Sequence, residues 1–377
     1  MPDSIDQTRE LVAILNTVFQ KLDRNHDQVL QPGEVDIAVI DPLLSAEFSE
    51  AVAVLKAGFA DIQHLHKEGW FARKNGITLA DLLVFERLLL MEDTEGERAQ
   101  HSHLLNLAQV IHERVLQSAH LKRQLFENPS APLASICPEA IRQGLVGDCY
   151  FLAALGSVVA TNPQIVTRII GQNSDNSYTV TFPGARDEPI TIEPPGLIEL
   201  SLYAKITHFG IWPCVLEKAY GQFLISHGYK RTVIPTDATE AAQHVYEAFD
   251  LITGQMGRWQ LVSELDDEEI SKSFSAAFKE QRAVAAASLP SARGDRDVTA
   301  DGLPSQHAYS VLAWKPKTRQ LTLRNPWGQV SDRQNERGAL FAEEQCPDGV
   351  FTMTLDQLRR NFVAIYYEDW LPDQRYI

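Results

Sequence analysis

Residues 143–154 read Gln143-Gly-Leu-Val-Gly-Asp-Cys-Tyr-Phe-Leu-Ala-Ala154. Cys149 stands between a Gly-Asp turn and an apolar, helix-forming run that extends to Ala160. This order puts its sulfur in the first turn of a helix. There, unpaired backbone N–H groups and the helix dipole favour a thiolate over a thiol. Upstream, Gln143 offers a side-chain amide able to donate to an oxyanion. A nucleophile beside such a donor is the core of acyl-transfer chemistry. That chemistry calls for a base and an orienting group elsewhere in the chain.

Both are on offer in the C-terminal third. His307 stands in Gly302-Leu-Pro-Ser-Gln-His-Ala-Tyr-Ser-Val311, at the mouth of a predicted strand and after the polar loop 291–301. Asn325 opens Asn325-Pro-Trp-Gly328 at the end of the next predicted strand. Adjacent antiparallel strands bring two such residues side by side. An asparagine carbonyl that accepts the imidazole N–H fixes the tautomer and turns the other ring nitrogen toward the thiol. Trp327 would shield that bond from water. Each residue also has a structural reading. A buried Cys packs as a small hydrophobe, a lone His is commonly structural, and Asn-Pro-Trp-Gly forms a turn. The chain order Cys, His, Asn is nevertheless the one expected of papain-like enzymes.

Composition narrows the class. The 377 residues are 44% hydrophobic and 22% charged, ordinary globular material with room for two or three domains. A net charge of −16 argues against nucleic acid or an anionic membrane surface as partner, and suits cationic peptides or metal ions. Cys137, Cys149, Cys214 and Cys346 are widely spaced and form no disulfide framework or zinc pattern. The start, Met1-Pro-Asp-Ser-Ile-Asp-Gln7, lacks a secretory signal, and no apolar run spans a bilayer. The expectation is a cytoplasmic protein, in a compartment that keeps a thiol reduced.

The organisation is α+β. Residues 1–125 read as helical, with apolar periodicity over Leu11 to Leu22, Phe48 to Leu65, Leu79 to Met91 and Leu104 to Phe126. A linker or domain entry follows at 127–134. Helices are predicted over Cys149 to Ile170, Trp212 to His227 and Asp266 to Gln281. Strands are predicted over 177–182, 189–193, 308–314, 320–324, 349–353 and 363–370. The expected division is 1–125, 126–205 and 206–377, with a cleft between the last two.

The residues at this point resemble the calpain family of cysteine proteases. Gln143 to Ala154 is similar to the family's nucleophile motif, with Tyr150 where Trp is common. His307-Ala-Tyr-Ser-Val311 resembles its histidine motif and Leu323-Arg-Asn-Pro-Trp-Gly328 its asparagine motif. Trp212-Pro-Cys-Val-Leu-Glu-Lys-Ala-Tyr220 resembles a further helix, and Asp348-Gly-Val-Phe-Thr-Met353 a late strand. The resemblance implies a papain-like core of two subdomains, one helical and one β-rich, acting on protein or peptide substrates. It implies Cys149 as nucleophile, His307 as base and acid, Asn325 as orienter and Gln143 as oxyanion donor. Glu217 and Lys218 read as structural. Two acids that the animal members use for calcium in the core are Ala140 and Val350 here. The alternatives are a calpain-like, calcium-responsive interaction protein that has lost catalysis, and an enzyme that passes the acyl group to an amine as transglutaminases do.

A separate calcium signal lies near the start. Asp23-Arg-Asn-His-Asp-Gln-Val-Leu-Gln-Pro-Gly-Glu34 matches an EF-hand loop. Its ligands would be Asp23, Asn25, Asp27, the Val29 carbonyl, Gln31 and a bidentate Glu34. Gln28 replaces the usual glycine, at a cost of about 1 kcal/mol. Aligning Ile77 with Leu30 makes residues 70–81 a partner loop that lacks the ligands for calcium. The N-terminal region thus resembles the EF-hand superfamily, an all-α domain before the protease core with Ca2+ as its cofactor.

Overall fold

Apolar side chains at helical spacing give the first third a set of helices that bury one face each. The computed structural model describes residues 2–41, 44–66, 75–90, 95–121, 123–229, 232–240, 244–291, 298–330 and 346–368. The helices of this region are α1 (Pro2–Leu22), α2 (Pro32–Val39), α3 (Ala46–Ala57), α4 (Phe59–Ile62), α5 (Leu79–Leu89), α6 (Glu95–Gln100) and α7 (Ser102–His120). Two short strands, β1 (Val29–Leu30) and β2 (Ile77–Thr78), pair antiparallel with Leu30 opposite Ile77. Helix α7 ends at His120, short of the predicted Phe126, because Leu121 turns to an extended conformation (ψ 144°).

From Cys149 the chain builds a second helical layer. It holds α8 (Cys149–Thr161), α9 (Gln164–Ile169), a small antiparallel sheet of β3 (Ile170–Gln172), β4 (Tyr178–Val180) and β5 (Ile190–Ile192), then α10 (Leu197–Leu202), α11 (Trp212–Ser226), α12 (Pro235–Thr239) and α13 (Val245–Thr253). The remainder comprises β6 (Gly257–Leu261), α14 (Asp267–Lys279), β7 (Val284–Ser288), β8 (Ala308–Lys315), β9 (Gln320–Arg324), β10 (Val350–Thr354), α15 (Leu355–Asn361) and β11 (Phe362–Glu368). Its strands form one antiparallel sheet in the order β10-β9-β8-β7-β11-β6. The chain is therefore a mixed helix-and-sheet structure.

The sheet divides two cores. On one side Ala285 and Ala308 join a core that runs through α8, α11 and α13 into the N-terminal helices. On the other, Val284, Ala286, Tyr309, Val311 and Ile365 pack with Phe274 of α14. Alternation along β7 explains both memberships, since successive residues face opposite sides. Small residues bring α8 hard against the sheet. A Cβ at Gly156 would stand 2.5 Å from Ser310 Oγ, and that hydroxyl donates to the Ala153 carbonyl (2.8 Å). Ser157 Oγ likewise donates to the Val284 carbonyl (2.7 Å). The opposite face of α8 is anchored as well: Phe151 stacks on Tyr220 of α11 (centroids 4.3 Å) and is fully buried, worth roughly 1.5–3 kcal/mol for the side chain removed from water. No helix among the described residues is long and apolar enough to cross a membrane.

Candidate active site

Cys149 is the first residue of α8, and Asp148 is its N-cap. The joint between α8 and β8 sets the sulfur against the start of β8, where the Ala308 backbone N–H donates to it. His307, the residue before, is buried and bonds through Nε2 to Asn325 Oδ1 at 2.8 Å. This bond leaves Nδ1 as the nitrogen free to exchange a proton with the thiol. The pairing of β8 with β9 explains the meeting: Ser310 lies opposite Arg324, so the residues flanking those strand ends converge.

Asn325 is itself held on both sides. Asn325 Nδ2 donates to the Val330 carbonyl (3.2 Å), and Asn325 Oδ1 also accepts the Trp327 N–H (3.0 Å). The Trp327 ring packs on the His307 imidazole, with centroids 4.5 Å apart. Tyr309 meets the same ring edge-on at 5.0 Å. Gln143 is buried, and its backbone N–H donates to the Pro326 carbonyl (2.8 Å), next to Asn325. Its Nε2 donates to the Val146 carbonyl (2.8 Å), while its Oε1 has no partner among the described residues. One Nε2 hydrogen therefore remains unspent. Thus Cys149, His307, Asn325 and Gln143 come together around one joint.

Electrostatics modifies one expectation. A helix N-terminus favours thiolate, yet burial pushes the Cys149 thiol up to about 11, helped by the negative charge of Asp148 and opposed by the Ala308 N–H. Cys149 keeps some exposed surface, but protein crowds its sulfur closely enough for burial to prevail. Burial also pulls His307 down to about 4, against the Asn325 hydrogen bond. Two neutral groups at rest follow, because desolvation of both exceeds the dipole's contribution of about 0.3–1 kcal/mol.

Beneath Cys149 lies a cluster that sequence reasoning did not assemble. Asp148 makes no side-chain cap for α8. Its carboxyl turns inward to face Glu217 of α11, and neither of its oxygens has another partner among the described residues. Both acids are fully buried and raised by that burial. Both Glu217 oxygens accept the Ala204 N–H, at 2.8 and 3.2 Å. Arg114 of α7 is the buried cation nearby; it donates to the Tyr203 and Leu200 carbonyls and stabilises the Glu217 charge. The sequence signals were Asp148 beside Cys149 and Glu217 in its helix motif, but nothing in their spacing predicted that they meet.

The N-terminal loop is laid out differently. Asp23 accepts the Asp27 and Gln28 N–H groups (3.2 and 3.0 Å), and Glu34 accepts those of Arg24 and Gln31 (both 2.9 Å). Asn25 and Gln31 turn their amide nitrogens onto Asp27 (3.0 and 3.2 Å). Val29 donates its N–H to Asp27 (2.9 Å). Gln28 adopts φ 64°, the left-handed conformation that the sixth loop position demands. No group of three or more His, Cys, Asp or Glu side chains among the described residues is arranged to hold a metal ion. In the partner loop, residues 70–74 lie outside the described residues. Asp81 spends its carboxylate on the Thr78 and His66 N–H groups (both 2.9 Å).

Comparison with known proteins agrees with this geometry. The calpain family cysteine protease profile matches residues 107–367, more than half of the chain. Calpain-13 of Rattus norvegicus is 28% identical over 262 residues, covering 62% of this chain and 37% of that protein. The calpain-type cysteine protease DEK1 of Arabidopsis thaliana is 27% identical over 258 residues, 61% of this chain and 11% of that protein. The calpain-1 catalytic subunit of Sus scrofa is 24% identical over 278 residues, 66% of this chain and 37% of that protein. The chain thus spans well under half the length of these curated relatives. With its matched region running from α7 to the last strand, the chain belongs to the calpain family of cysteine proteases.

Proposed function

We propose that the chain is a cysteine endopeptidase with a papain-like division of labour, the α8 layer supplying Cys149 and the six-stranded sheet supplying His307 and Asn325. The observation that carries this reading is the His307–Asn325 bond at 2.8 Å, beside a Cys149 sulfur that accepts the next residue's N–H. Family membership implies peptide substrates. His307 Nδ1 takes the thiol proton as sulfur attacks the scissile carbonyl carbon. The oxyanion forms between the Cys149 N–H and the unspent Gln143 Nε2–H. The imidazolium then protonates the leaving amine as the C–N bond breaks. Water, deprotonated by His307, next hydrolyses the thioester, releasing the acid and restoring the thiol. Because both groups rest neutral, the proton moves during attack, when substrate carbonyl and donors share the resulting charge.

For the N-terminal helices we propose an EF-hand-like module. The pairing of Leu30 with Ile77 and the φ of Gln28 support it. Its donor chemistry, oxygens from Asp23, Asn25, Asp27, Val29, Gln31 and Glu34, suits Ca2+. Binding would rotate the Asn25 and Gln31 amides so that their oxygens face the ion and their nitrogens no longer donate to Asp27.

A peptidyl epoxide, followed by peptide mass mapping, tests the enzyme reading. One adduct on Cys149, lost in His307→Ala, is expected. Equal labelling of Cys137, or labelling indifferent to His307, contradicts it.

A further inference from the structure

The loop that carries Gln143 has no secondary structure to fix it, yet its donor must stand within hydrogen-bond reach of a developing oxyanion. Three bonds tie it to the opposite half of the site. Arg324, buried at the end of β9, donates to the Ile141 carbonyl (2.7 Å). The Gln143 N–H donates to the Pro326 carbonyl (2.8 Å). Between them, the Arg142 guanidinium forms an ion pair with Asp348. On its own side the Arg142 carbonyl accepts the Lys205 N–H (2.7 Å), just past α10.

The far end of that ion pair is equally well placed. Asp348 sits at φ 57° in the turn before β10, and the next residue, Gly349, accepts the Asn325 N–H through its carbonyl (2.9 Å). The Arg142 stem crosses the Asn-Pro-Trp-Gly turn closely, its Cγ 3.1 Å from where a Cβ on Gly328 would stand. One residue from Arg142 is the donor Gln143, and one residue from Asp348 is the group that holds the orienter. The ion pair therefore spans the two halves at the point where they must be in register.

Resting on the protease reading above, we propose that Arg142 is a positioning residue. Its ion pair with Asp348 clamps the Gln143 loop onto the Asn325–Gly328 turn and keeps the oxyanion donor aligned with the His307–Asn325 pair. The side chains are 37% and 42% exposed, so the pair adds little to folding. Its effect falls on alignment, where small displacements cost much in rate.

The test is a double-mutant cycle with Arg142→Met, Asp348→Asn and the double variant, plus Arg142→Lys. The Met side chain keeps the apolar stem over Gly328, and Asn tolerates the left-handed turn. We expect each single variant to lower kcat by roughly tenfold, with KM and the thermal midpoint little changed. The double variant should be no slower than either single one, and Arg142→Lys should recover part of the loss. Added salt should slow the wild type and leave Arg142→Met unaffected. Unchanged kcat in the single variants, or losses that multiply in the double, overturns the clamp. A wild type that hydrolyses no peptide overturns the protease reading instead. In that case the same cycle, read by the alkylation rate of Cys149 with iodoacetamide, decides the clamp: coupled slowing upholds it and equal rates overturn it.

Discussion

At Cys149 two physical effects oppose each other, and their balance sets how the residue reacts. The first turn of α8 stabilises negative sulfur, but burial and the neighbouring Asp148 push the thiol up to about 11. Burial holds His307 down to about 4. Between those values both groups are neutral. The iodoacetamide rate at Cys149, in the absence of substrate, should therefore be low at pH 7 and climb as pH approaches 11. A preformed thiolate–imidazolium pair would instead give a plateau beginning a little above pH 4. A rate that stays flat and high from pH 5 to 9 contradicts the neutral resting pair. Legibility at this scale was uneven. Cys149, His307, Asn325 and Gln143 each stood out through local context, and the fold brings them to one joint. The low-dielectric surroundings did not announce themselves, because Tyr309 and Trp327 close on His307, and Ala308 on Cys149, only once α8, β8 and the turn after β9 meet.

Among the elements, α8 and its support decide whether the site assembles. Asp148 and Glu217 face each other under the first turn, both raised by burial. A carboxyl raised in the folded state binds its proton more tightly there than in the unfolded chain. Its contribution is present in full below the unfolded value of about 4 and is lost as pH rises through the folded value. The contribution of this pair to stability should therefore fall as pH climbs from 5 to 8, against the opposite trend of His307, which burial holds low. Asp148→Asn removes one of the two titrating partners, so its thermal midpoint should change less over that interval than that of the wild type. Equal slopes would show that the pair does not titrate there. Elements were legible where pattern and environment agreed. Helices α11 and α14 and strands β8 and β9 fall within a residue or two of expectation. Strand β7 was not legible, since Val284-Ala-Ala-Ala-Ser288 has the composition of a helix. It is a strand because small residues let α8 lie directly on the sheet. Strand β6, at the sheet edge, carries too few buried residues to show alternation.

Across the whole molecule, the N-terminal helices are joined to the rest by charge as well as by a shared core. Lys56 of α3 binds Asp36 of α2 (2.6 Å) and Asp237 of α12 (2.8 Å), and α12 packs on α11 beside the site. Arg114 of α7 reaches the carbonyls around Tyr203. A cation held by the Asp23–Glu34 loop would sit at the start of α2, two residues from Asp36, and so at one end of this connection. Calorimetric titration with calcium should show binding to the full chain, weakened at least about tenfold in Glu34→Gln, which loses a charged ligand. Superimposable isotherms would remove calcium from this loop. Whether Cys149 is the nucleophile is decided by cleavage of an unfolded protein substrate with the full chain and with its Cys149→Ser variant. Cleavage by the wild type is expected, with none above background by a variant that keeps the same thermal midpoint; equal cleavage by both would overturn Cys149 as the nucleophile.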